Sequence, residues 1–245
     1  MRLKRIVKGL GISLIAIIII GFPGMVIWAK TGERHAQDKA LSALESSKSL
    51  TVTMDDWIVF EPSVEPEIGF IFYPGGLVEA KAYAPILRQI SEEGIFIIIT
   101  PMPLNLAIFD TNAANQVIDA FPRIETWIIA GHSLGGSAAA IYTENYPELI
   151  DAIIFWDSYP ADSSDLSDNQ VSALSIYGTM DNQPNNAVLE KTHLLPADTI
   201  YIGIEGANHA QFGDYGPQAG DVEALITPDD QHNQVAEIML DFINP

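Results

Sequence analysis

The chain has 245 residues, 48% of them hydrophobic, enough for one large α/β domain with a sizeable core. It has no cysteine, which excludes disulfides, thiolate metal sites and a cysteine nucleophile. A formal net charge of −20 argues against binding nucleic acid or anionic lipid through the folded domain.

The first thirty residues are a separate physical object. Arg2, Lys4, Arg5 and Lys8 precede an uncharged apolar run from Leu10 to Trp28. About 20 apolar residues at 1.5 Å each span the roughly 30 Å hydrocarbon core of a bilayer. The reading is an uncleaved membrane anchor with its basic end cytoplasmic and everything after Lys30 outside. A cleaved secretory signal is the alternative; Phe22, Pro23, Met25 and Ile27 make a poor cleavage context. Residues 31–49 are polar with Ala36, Ala40, Leu41 and Leu44 at helical spacing, a stalk helix or a helix lying on the domain.

From Leu50 onward short apolar runs alternate with amphipathic segments, the pattern of βα units around a mostly parallel sheet. The predicted strands are Leu50 to Met54, Trp57 to Glu61, Ile68 to Tyr73, Ile95 to Thr100, Thr126 to Ala130, Ala152 to Trp156, Ser172 to Tyr177 and Thr199 to Ile204. Near-continuous Ile, Val and Phe mark strands covered on both faces, and the first two runs read as an antiparallel hairpin at one edge. Predicted helices are Ala80 to Glu93, Asn112 to Ala120, Gly135 to Asn145, Pro184 to His193 and Gln231 to Ile243. Tyr159 to Gln170 is too short to hold a lid domain.

The most informative stretch is Gly131-His132-Ser133-Leu134-Gly135-Gly136, lying between the strand Thr126 to Ala130 and a small-residue helix start. A serine hydroxyl is a poor nucleophile unless the backbone presents it, unhindered, to a base. A G-x-S-x-G turn from strand to helix does this, and the helix N-terminus supplies N–H groups for an oxyanion. His209 lies on the loop after the last predicted strand, at the same sheet edge as Ser133, and is the predicted base. His35 falls in the stalk, and His193 and His232 fall in helical segments where a solvated histidine is the default. The acid belongs after a strand between nucleophile and base. Asp181, following Gly178-Thr179-Met180, is preferred by chain order, and Asp157, following Trp156, is the alternative. The oxyanion hole needs the N–H of Leu134 and a second from the turn Pro74-Gly75-Gly76-Leu77; Leu77 is preferred over Gly76.

These residues resemble the α/β-hydrolase superfamily from about Leu50 to the C-terminus. More narrowly, Tyr73-Pro74-Gly75-Gly76, Pro101 to Ala107, the Ser133 turn and Asn208 to Gly213 resemble a branch of small, lidless bacterial serine hydrolases related to dienelactone hydrolases. The resemblance implies an eight-stranded sheet and a Ser133–His209–Asp181 triad. Dienelactone hydrolases use cysteine, which this chain lacks, so ester hydrolysis is favoured. By the same analogy Gly76, Asn105, Trp156 and Phe212, together with Phe109 and Tyr159, line the substrate pocket. The expected substrate is a small-molecule ester, cleaved without metal or organic cofactor; an amidase or peptidase reading keeps the same triad. A non-catalytic hydrolase-like domain that binds a cell-surface ligand is the reading from another class.

Overall fold

The computed structural model of the protein describes residues 21, 23–180 and 187–244. The chain divides into two compact units, Met1–Glu33 and Arg34–Pro245. In the first, residues 23–32 are helical, and the Thr31 hydroxyl donates to the Ile27 carbonyl at 2.9 Å. The predicted membrane run lies, up to residue 20, outside the described residues. Among the described residues no helix is long and apolar enough to cross a membrane.

The second unit opens with a short helix α1 (Asp38–Ser42) and is built on one eight-stranded sheet. Its strands are β1 (Leu50–Met54), β2 (Ile58–Pro62), β3 (Ile68–Tyr73), β4 (Phe96–Ile99), β5 (Thr126–His132), β6 (Ala152–Trp156), β7 (Ser172–Gly178) and β8 (Ile200–Ile204). Their order is β1-β2-β4-β3-β5-β6-β7-β8. The β1–β2 hairpin is antiparallel and joins β4 antiparallel; every other pair is parallel.

Helices α2 (Ala84–Glu92), α3 (Ala113–Ala120), α4 (Leu134–Asn145), α5 (Ala187–Glu190) and α6 (Pro228–Ile243) follow in chain order. The period-2 alternation of a strand sorts its side chains onto two faces. Phe70 and Phe72 of β3 join Ile97, Ile99, Ala130 and Ile154 against Ile86, Leu87 and Ile90 of α2 and Val235 and Met239 of α6. Ile71 and Tyr73 join Ile98, Ile129, Ile153 and Phe155 against Val117 of α3 and Ala139 and Tyr142 of α4. Both faces are buried, which is why these runs carry no alternation of polarity.

The differences from the sequence reading are local. Helix α6 begins three residues before the predicted Gln231, because the Thr227 hydroxyl accepts from Asp230 N at 3.1 Å and Pro228 sits at the first helical position. His232, expected to be solvated, is fully buried on this helix. Neither ring nitrogen of His232 has a partner among the described residues, and burial lowers its pKa to about 4. Of the predicted helix Pro184 to His193, residues 184–186 lie outside the described residues. Its remainder breaks into α5 and a short 3-10 turn at Thr192–Leu194.

Candidate active site

β5 runs to His132 and α4 starts at Leu134, so Ser133 alone makes the turn between them. Its φ of 51° and ψ of −122° lie where a side-chain-bearing residue is strained, as a sharp elbow requires. The turn is held through the Ser133 backbone: Ser133 N donates to Trp156 O at 3.1 Å, and Ser133 O accepts from Gly136 N at 3.1 Å and from the Ser158 hydroxyl at 2.5 Å. The flanking glycines are dictated by contact. A Cβ on Gly131 would stand 2.3 Å from the carbonyl carbon of Gly135, and one on Gly135 would stand 2.0 Å from Tyr73 O. Strand, helix and the β3 loop meet backbone to backbone there. Gly135→Ala is therefore expected to destabilise the fold by about 3 kcal/mol or more, read by urea unfolding. A loss below about 1 kcal/mol would contradict that packing.

Parallel pairing places Trp156 of β6 beside His132 of β5. The first residues past the two strands, Ser133 and Asp157, thus emerge side by side at the C-terminal edge of the sheet. Asp157 also takes a left-handed conformation, φ 44°. Its Oδ1 accepts from Gly178 N at 3.2 Å, and its Oδ2 accepts from His209 Nδ1 at 2.7 Å. Both side chains are buried, at 4% and 6% exposure, so solvent screening of this charged hydrogen bond is weak. Nδ1 carries the proton it donates, which leaves Nε2 as the basic nitrogen. Asp181, the acid preferred on chain order, lies outside the described residues.

The loop that carries His209 is braced on both sides. The fully buried Gln231 amide accepts from Asn208 N at 3.2 Å and donates to Asn208 O at 2.9 Å. Asp221 accepts from Ala210 N at 2.7 Å. Sequence reasoning missed both residues, since neither carries a motif and both act on backbone.

His132, inside the elbow, is 1% exposed and joins the surrounding loops. Gly75 N donates to Tyr83 Oη at 2.9 Å, so the Tyr83 hydroxyl proton is directed to His132 Nδ1, also at 2.9 Å. The His132 ring lies 4.5 Å from that of His209, centre to centre, and stacks on Phe212 at 5.7 Å. Burial, then the neighbouring His209, hold its pKa well below the usual histidine range, so His132 is neutral. No group of three metal-ligating side chains among the described residues includes Asp157, His132 or His209.

Three expected site residues sit differently from the sequence reading. Leu77 N donates to Asn105 O at 2.7 Å, so its N–H is already committed and does not face an empty oxyanion position. Leu77 and Asn105 both take left-handed conformations, with φ of 60° and 52°, which hold this cross-loop bond. Gly76 N and Leu134 N make no hydrogen bond among the described residues, and a Cβ on Gly76 would lie 3.3 Å from Leu134 Cδ2. Trp156 and Phe212, expected to line the pocket, are both 0% exposed. Trp156 donates through Nε1 to Met239 Sδ at 3.1 Å and packs 4.6 Å from Phe72, while Phe212 supports His132 from beneath. Both are buried beneath the His132 and Asp157 side of the site and expose no surface to a pocket. Phe109, half exposed on a short turn that packs on α4, is accessible.

Residues 69–233 match the family model described as the alpha/beta hydrolase family. Among solved structures, an alpha/beta hydrolase from the metagenome of lagoon sediments at Mar Chica, Morocco, is 16% identical with a TM-score of 0.58, covering 80% of this chain and 99% of its own. A predicted CIB-like hydrolase from Thermoplasma acidophilum is 15% identical with a TM-score of 0.56, covering 78% and 98%. Est1E from Butyrivibrio proteoclasticus is 13% identical with a TM-score of 0.57, covering 81% and 100%. Among curated proteins none matches the sequence. With its sheet order, its elbow and a family match across two thirds of its length, the chain belongs to the α/β hydrolase family.

Proposed function

We propose that the protein is a serine hydrolase that cleaves a carboxylic ester through an acyl-enzyme intermediate. The observation that carries this is the buried 2.7 Å bond from His209 to Asp157 beside the strained Ser133 turn. Ser133 Oγ attacks the carbonyl carbon while His209 Nε2 takes its proton. The tetrahedral intermediate collapses, and the same proton passes to the leaving alcohol. Water then repeats the sequence on the acyl-enzyme. Asp157 fixes the tautomer of His209 and stabilises the imidazolium that forms at each step. The N–H groups of Leu134 and Gly76 donate to the developing oxyanion. The reading draws support from the family match and from the esterase names among the structural neighbours, one of them Est1E with ferulic acid bound.

Chemistry with a serine nucleophile separates this chain from thiol-based dienelactone cleavage. An anchor in the apolar run Leu10 to Trp28, with its basic flank inside, would hold the hydrolase domain outside the membrane.

The bond class is tested on the full chain with p-nitrophenyl esters of increasing acyl length and with matched p-nitroanilides. Esters are expected to turn over at least about 100-fold faster, since amide cleavage needs stronger protonation of the leaving group. Anilide turnover equal to or above that of the esters would replace the esterase reading by an amidase.

A further inference from the structure

Residues 31–49, expected as a stalk or as a helix lying on the domain, are stitched over residues 34–40 to the two loops that frame the candidate site. Arg34 N donates to Leu77 O at 2.7 Å and Glu79 N to Arg34 O at 3.0 Å, a parallel bridge centred on Val78. Ala36 N donates to Glu79 Oε2 at 2.8 Å. Further on, Gln37 N donates to Asp214 O at 2.9 Å and Ala40 N to Asp214 Oδ2 at 2.7 Å. This segment, bridged at Arg34 and helical from Asp38, therefore straps the oxyanion loop to the loop that follows His209. Such a sequence of bonds is far more than a spacer needs.

What the strap delivers is Arg34. Of the three described arginines, Arg88 bonds Glu92 and the carbonyls of Ala43 and Glu45, and Arg123 bonds Glu61. Arg34 is partly buried, and its guanidinium has no hydrogen bond or ion pair among the described residues. Partners were not scarce: the chain holds 32 acidic residues against 12 basic ones. Five donors held partly out of water without an acceptor are costly, and the guanidinium fork matches a carboxylate or phosphate. The charge of Arg34 acts on Tyr83, His132 and Tyr215, and its backbone bonds to Leu77 and Glu79 place it at the back of the oxyanion loop. The hydroxyl of Tyr215, 6% exposed, also has no partner among the described residues.

We infer that Arg34 is a specificity residue that binds an anionic oxygen group, carboxylate or phosphate, on the ester substrate, with the Tyr215 hydroxyl as a second donor. In a chain so acidic, the one unpaired guanidinium among the described residues, held at the oxyanion loop, is the local attractor for an anion. This rests on the serine-hydrolase reading for its substrate. The anion site itself is defined by Arg34 and is measurable without turnover.

The test uses the full chain and its Arg34→Gln, Arg34→Lys and Tyr215→Phe variants. Turnover of mono-p-nitrophenyl glutarate is compared with that of p-nitrophenyl valerate, which has the same chain length without the charge. Binding of glutarate and of inorganic phosphate is titrated separately by calorimetry. In the wild type the charged ester is expected to be preferred. In Arg34→Gln the charged-to-neutral ratio of kcat/KM should fall at least about tenfold, mainly through KM, and recover in part in Arg34→Lys. Glutarate affinity should fall in parallel, with a smaller fall in Tyr215→Phe. Tighter binding of phosphate than of glutarate would identify a phosphate-bearing substrate instead of a carboxylate-bearing one. An unchanged ratio in Arg34→Gln, or no binding of either anion to the wild type, would overturn the inference. If neither ester turns over while anion binding still depends on Arg34, the esterase reading fails and the anion site stands.

Discussion

Ser133→Ala is expected to lower kcat for p-nitrophenyl butyrate by at least about 10⁴-fold, with the melting temperature within a few degrees of wild type. The size follows from the role. Losing the nucleophile removes the covalent path outright, and what survives is the rate that the oxyanion donors and binding give to direct attack by water. Stability should hold because the turn is fixed by bonds from Gly136 N and the Ser158 hydroxyl to the Ser133 carbonyl, which alanine retains. The strain at φ 51° is common to serine and alanine and cancels in the comparison. A variant that keeps a tenth or more of the activity would move the nucleophile elsewhere.

The second large effect separates two aspartates. Asp157→Asn is expected to reduce kcat by about 10⁴-fold, as loss of a triad carboxylate does when the amide holds the wrong histidine tautomer. The side-chain volume is retained, so Gly178 N keeps an acceptor and the fold is expected to survive. Asp181→Asn should produce a much smaller loss. Both variants are measured as kcat under identical conditions beside the wild type. If Asp181→Asn gives the larger loss, the acid role returns to the residue that chain order favours.

That contrast also shows what was legible in the sequence. Strand runs such as Ile68 to Tyr73 and Ala152 to Trp156 were read at their observed boundaries, because a strand buried on both faces leaves an unbroken apolar signature. The elbow was legible because its glycines are required by backbone contacts as close as 2.0 Å. The partner of His209 was not. Which carboxylate reaches a base depends on strand register and on a left-handed turn at Asp157, and neither leaves a local pattern in the chain. The same holds for Leu77, whose N–H is claimed by Asn105 from across a loop, and for Gln231, which braces Asn208 from a helix 23 residues away. Trp156 and Phe212 were placed in the pocket by analogy, yet an aromatic residue at the end of a central strand or below a buried histidine serves equally well as floor. The hydrogen bonds of residues 34–40 were hidden for a simpler reason: polar residues at loose helical spacing describe a solvated helix as well as a strap.

The central claim is that Ser133 becomes acylated with His209, held by Asp157, as its base. The most direct measurement is the mass of the intact protein after exposure to a fluorophosphonate, followed by mapping of the modified peptide. One adduct is predicted, on Ser133, formed rapidly in the wild type, slowly in Asp157→Asn and not at all in Ser133→Ala. An unmodified wild-type protein, or an adduct that persists in Ser133→Ala, would contradict the account.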